Sequence, residues 1–120
     1  MIPLWLALAG GLGAGARFVL DGVLTERMHR GLPTATLVIN VVGSFLLGLL
    51  TGCVGSPSVL RTVIGVGLLG GFTTFSTASV ELVRLVRAER PWAAVALASS
   101  MLVLCLLGAG AGFALGRMLA

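Results

Sequence analysis

Charge is absent from four long stretches of this chain. Ile2–Ala16, Gly31–Leu60, Thr62–Val80 and Pro91–Gly116 contain no Asp, Glu, Lys or Arg, and the first run continues in apolar residues to Leu20 once Arg17 is included. A helix rises 1.5 Å per residue, so about 20 residues cross the roughly 30 Å hydrocarbon core of a bilayer. The runs therefore predict an all-α integral membrane protein with four transmembrane helices, at about 2–20, 33–54, 62–87 and 92–116. The third span passes Glu81 and Arg84 to emerge as an amphipathic end. Together the spans occupy the whole sequence, 1–120, as one transmembrane domain without a soluble domain or a sizeable linker. Met1-Ile2-Pro3 puts no basic stretch ahead of the first apolar run, so that run is expected to be a span and not a cleaved signal peptide.

Composition points the same way. The chain is 58% hydrophobic and 10% charged, against about 25% charged in an ordinary soluble domain. Twelve charged residues cannot cover the outside of a soluble fold of this size. That excludes a soluble enzyme, a nucleic-acid module and a disordered chain. The net charge of +4 comes from eight basic residues, all Arg, set against four acids, and the placement of those Arg says more than their sum. With four spans both termini share one face. The opposite face carries Arg27, Arg30, Arg84, Arg87 and Arg90, and the terminal face carries Arg61 and Arg117. Positive residues stay on the cytoplasmic side, which predicts cytoplasmic loops and outward termini in a cell inner or plasma membrane.

The reactive residues are few. Cys53 and Cys105 show no CxxC or Cys/His spacing and read as buried free thiols. His29 is the single histidine and lies on a charged loop. With no nucleophile–base pair and no metal-ligating cluster, nothing argues for an enzyme. Gly65-Val66-Gly67-Leu68-Leu69-Gly70 matches GxGxxG, but it sits inside a span and lacks the strand–turn–helix that a dinucleotide site requires. The glycines belong instead with membrane helix packing. Gly11/Gly15, Gly48/Gly52, Gly67/Gly71 and Gly108/Gly112/Gly116 recur every four residues. These contacts are equally compatible with packing inside the subunit and with a dimer. Four short helices enclose little interior, so a pore or substrate site calls for a second copy or a partner.

Three polar features lie inside the spans. Asn40 is mid-span, where an amide needs either a neighbouring helix or a water path. Gly70-Gly71-Phe72-Thr73-Thr74-Phe75-Ser76-Thr77-Ala78-Ser79 places two adjacent Gly, three Thr and two Ser in mid-span. Poor helix formers at that density invite a break. Freed backbone groups in a bilayer survive only when protein buries them or when they line a cavity, and broken helices of this kind mark ion sites. The alternative is a continuous helix with back-bonded hydroxyls. Arg17, about one turn inside the first span, either snorkels to the interface or stands at an anion vestibule. Glu81 is expected at the interface.

These residues resemble the Fluc/CrcB family of fluoride channels. The resemblance is carried by Gly10-Gly11-Leu12-Gly13-Ala14-Gly15-Ala16-Arg17, by Thr36-x3-Asn40-x2-Gly43-x-Phe45-x2-Gly48, and by Gly67-x2-Gly70-Gly71-Phe72-Thr73-Thr74-Phe75-Ser76-Thr77. It implies an antiparallel, dual-topology dimer with two fluoride pathways along the subunit interface, the third helix broken near its centre. It also implies a structural, non-transported sodium ion held by the carbonyls of Gly70 and Thr73 from both subunits. By the same resemblance Asn40, Phe75, Ser76 and Thr77 line the pore and Arg17 stands at its vestibule. The amide and hydroxyls are donors that can replace the waters fluoride gives up, and the Phe75 ring edge is electropositive.

One position departs from the family pattern. A second phenylalanine commonly follows the first by three residues; here that residue is Ala78. A homodimer would then lack one ring in each pathway. Together with the arginine asymmetry, this raises the expectation of one-way insertion and pairing with an inverted paralogue, so that the chain is one half of a heteromeric channel. Two other classes compete. A small four-helix proton-coupled exporter needs a carboxylate in mid-membrane, and Asp21, Glu26, Glu81 and Glu89 all fall near span ends. A structural subunit leaves Asn40 and the Gly70–Thr77 break without a purpose. The expected function is passive export of fluoride from the cytoplasm.

Overall fold

Four helices are long and apolar enough to cross a membrane in the structure, a computed structural model that describes residues 1–27 and 34–120. His29, Arg30 and Pro33, which bear on the sequence expectations above, lie outside the described residues. Helix α1 spans Ile2–Arg27 and α2 spans Thr34–Cys53. The third crossing runs from Val59 to Arg87 in pieces, and α6 spans Pro91–Leu119. No strand occurs among the described residues. Helix α1 continues past Leu20, where its apolar run ends, as far as Arg27. Pro91 opens α6, the position where its missing N–H has no partner to lose.

The third crossing is interrupted. Helix α3 (Val59–Thr62) is capped by Ser58, whose Oγ accepts from the Arg61 N–H at 3.1 Å. A π-helical stretch follows at Val63–Leu69, then a single turn, α4, at Gly70–Phe72. Thr73 leaves the helix in an extended conformation (φ −79°, ψ 159°), and α5 resumes at Ser76–Arg87. The break therefore falls where the two adjacent Gly and the Thr pair lower helix propensity. The wide-turned π segment just ahead of it was not expected from sequence. Such segments are rare and concentrate at functional sites.

Small residues decide the packing. Helices α2 and α6 share the most extensive contact. A methyl group on Gly48 would meet the Ala109 carbonyl, and one on Gly112 would meet the Phe45 carbonyl. Helix α1 lies against the π segment and α4 in the same way, with Gly13 over the Leu68 carbonyl and Gly71 over that of Gly10. Three of the four glycine series thus pack inside the subunit. Gly11 and Gly15 do not: nothing approaches their Cβ directions within 4 Å, and they floor an apolar surface groove along α1 with Leu12, Ala16, Val19 and Val23. Most large side chains face outward, as hydrocarbon permits; Ile39 and Thr36, each 1% exposed, are the most deeply buried side chains.

Candidate functional site

The break is bridged by a side chain of another helix. The Asn40 Oδ1 of α2 accepts from the Thr74 N–H at 2.9 Å, and its Nδ2 donates to the Thr74 carbonyl at 3.0 Å. An amide side chain is a peptide group in miniature, so it can take both hydrogen bonds of a residue that has left its helix. Thr74 is buried, where an unmet peptide group costs about 1–3 kcal/mol. Of the two readings open for Asn40, the structure gives the inter-helix bond, and that bond also borders a cavity.

Two carbonyls are freed at the break, one by the Asn40 amide and one by the Thr74 hydroxyl. In an unbroken helix the Thr74 N–H would go to the Gly70 carbonyl, but Asn40 takes it. The Thr77 N–H would go to the Thr73 carbonyl, but it donates instead to the Thr74 Oγ1 at 3.1 Å. Leu69 ends the upstream helix by accepting from both the Thr73 N–H (2.9 Å) and the Thr73 hydroxyl (3.1 Å). Among the described residues no donor reaches the carbonyl of Gly70 or Thr73.

Cavities flank this point on two sides. A groove of about 330 Å³ is lined by Asn40, Gly70, Thr73, Phe75, Ala78 and Met101, among others. A recess of about 200 Å³ is lined by Arg17, Asp21, Thr36, Thr74 and Thr77. The structure therefore brings Gly70, Thr73, Asn40 and Phe75 into one cavity, and Arg17 and Thr77 into the other, with Thr74 at the edge of both. Ser76 is exposed beside them, its Oγ 3.5 Å from the Thr74 Oγ1. The Phe75 ring is 87% exposed at the mouth of the groove. Arg17 is half-buried and lines the recess together with Asp21.

Several residues differ from the sequence expectation or were missed by it. Glu81 is turned inward: the Thr36 hydroxyl donates to its Oε1 at 2.7 Å, and its Oε2 is buried with no hydrogen-bond partner. Cys53 is exposed and not buried, because it lies at the end of α2; Cys105 is half-buried and lines the groove that holds Asn40 and Phe75. Thr74 and Met101 were overlooked. Thr36, Asn40 and Ser44 recur every four residues, a polar stripe on one face of α2 that could have drawn in Thr36. Nothing in sequence singles out Met101, whose Sδ lies 3.5 Å from the Asn40 Nδ2.

Residues 4–113 match the family described as CrcB-like protein, Camphor Resistance (CrcB). The chain belongs to the CrcB family. Among its CrcB relatives is a protein named fluoride-specific ion channel FluC 1 from Leifsonia xyli, 48% identical over 98% of this chain and 88% of that one. One named fluoride-specific ion channel FluC from Deinococcus radiodurans is 46% identical over 97% and 95%. Another of that name, from Magnetococcus marinus, is 39% identical over 96% and 97%. These relatives are channels and not enzymes, and the CrcB chain, with four spanning helices, is a multi-pass membrane protein.

Proposed function

We propose that this CrcB protein is a fluoride-specific channel that lets the anion leave the cytoplasm passively. The observation that carries the reading is the Asn40–Thr74 pairing, which opens a membrane helix onto two cavities bordered by donors and free of a trapping charge at the break. Arg17 raises the local anion concentration in the recess. The Asn40 amide and the hydroxyls of Ser76 and Thr77 offer donors in place of water, and Phe75 offers a ring edge. Asn40, Phe75, Ser76 and Thr77 carry no fixed charge, so an ion that binds at them can also leave.

The pathway is completed by a second subunit. Phe75 is widely exposed at the groove, where its ring is available to a second subunit. The freed carbonyls of Gly70 and Thr73 fit a small hard cation, which prefers oxygen ligands; two from each of two antiparallel subunits would hold a structural sodium ion. That ion would tie the subunits together and offset the dipoles of the cut helix ends. Ala78 lines the groove with a methyl group where a ring is expected, and this favours pairing with an inverted paralogue over a homodimer.

The test is fluoride efflux from liposomes read by a fluoride electrode, with chloride as the control anion, for the chain alone and with a candidate partner chain. Fluoride loss without chloride loss is the expected result; no fluoride loss from either preparation refutes the channel. Scoring tagged termini of the chain expressed alone decides the pairing. One-way insertion with weak flux supports the paralogue, and an even two-way mixture with full flux contradicts it.

A further inference from the structure

We infer that Met101 is a positioning residue that tunes how tightly an anion is held at Asn40, by occupying the one amide hydrogen an anion can take. The inference rests on the channel reading above. Three of the four hydrogen-bonding positions of Asn40 concern this argument. Its Oδ1 accepts from the Thr74 N–H, and one Nδ2 hydrogen goes to the Thr74 carbonyl. Surrendering either would undo the pairing that keeps the helix open. The Nδ2 also lies 3.5 Å from the Met101 Sδ, which can accept its second hydrogen. Asn40 and Met101 line the same groove, so that hydrogen is the one presented to anything entering it.

A thioether suits a placeholder. Its sulfur is a weak acceptor, whereas a hydrogen bond to an anion is about twice as strong as a neutral one. Three rotatable bonds let the side chain move aside without disturbing α6, and Met101 is only half-buried. In the resting site the sulfur keeps the amide oriented and partly satisfied; an arriving fluoride displaces it. An oxygen acceptor at this position would compete harder, and a hydrocarbon would not compete at all.

Two variants of similar size separate this role from simple packing. Efflux rate is measured against fluoride concentration for the reconstituted wild type, Met101→Leu and Met101→Gln. Met101→Leu removes the competitor and is expected to lower the half-saturating concentration roughly threefold, and Met101→Gln, with a strong amide acceptor, to raise it by roughly tenfold. A packing role would change the maximal rate or move both variants the same way. Half-saturation unchanged in both, or shifted in one direction by both, overturns the inference while the channel reading stands. A wild type that passes no fluoride overturns the two together. If Met101→Gln does not accumulate, Met101→Leu decides alone: tighter saturation is required, and equal or weaker saturation contradicts the proposal.

Discussion

Asn40 and Thr74 are joined twice, side-chain amide to main-chain peptide, across two helices that cross the membrane separately. The consequence reaches beyond the pair. With its own peptide engaged by Asn40, Thr74 turns its hydroxyl to the N–H of Thr77 and starts α5. Thr74→Val keeps the shape and the Asn40 pairing but removes that acceptor. The Thr77 N–H then returns toward the Thr73 carbonyl. We expect a loss of about 1 kcal/mol, the usual value of a helix-capping hydroxyl, read from thermal melts in detergent.

Sodium replacement tests the freed carbonyls. If Gly70 and Thr73 hold the ion, exchanging sodium for a large organic cation lowers the melting temperature and the fluoride flux of the wild type. Thr74→Val, with one carbonyl re-engaged, shows a smaller sodium dependence. Melting curves in matched buffers of equal ionic strength check both expectations.

The glycines divide into two groups with opposite expected sensitivities. Gly48→Ala drives a methyl group into the backbone of α6 at Ala109, and Gly13→Ala drives one into the Leu68 carbonyl. Each forces helices apart and is expected to cost about 1–3 kcal/mol, as overpacking does. Gly11→Ala meets nothing within 4 Å among the described residues and is expected to leave the subunit's own packing intact. Melting temperatures of the three variants, compared with wild type, provide the measurement.

The Thr36–Glu81 bond is a second buried polar link between α2 and the third crossing. Thr36→Val is nearly isosteric and leaves the Glu81 carboxyl, one oxygen of which already has no partner, without its donor. The expected destabilisation is about 1–3 kcal/mol. A melting temperature equal to that of the wild type would contradict a structural role for this contact.

The sequence made some of this readable and hid the rest. Spans follow from charge-free length, and the break follows from Gly70-Gly71 and the neighbouring Thr, because both signals are local. Asn40 stood out because an amide in hydrocarbon needs a reason. Its partner did not, since which peptide it meets depends on how α2 is rotated against the third crossing. The π segment carries no local signal either, and it lies where α1 packs Gly10 and Gly13 against Val63–Leu69. The Thr36–Glu81 bond is hidden for a related cause: near the end of an apolar run a carboxylate is expected to reach water, and only the tertiary fold brings Thr36 within 2.7 Å of it. Met101 looks like any apolar residue until its sulfur is seen beside an amide.

Asn40→Asp tests the central claim most directly. The variant keeps an oxygen for the Thr74 N–H but loses both Nδ2 donations and places a negative charge in the pathway. Reconstituted beside the wild type at equal folded amount, with fluoride and chloride read in parallel, the wild type should release fluoride and retain chloride. Asn40→Asp should release fluoride at least about tenfold more slowly, a difference of roughly 1.4 kcal/mol in the barrier. Equal fluoride release by the two proteins would contradict the account.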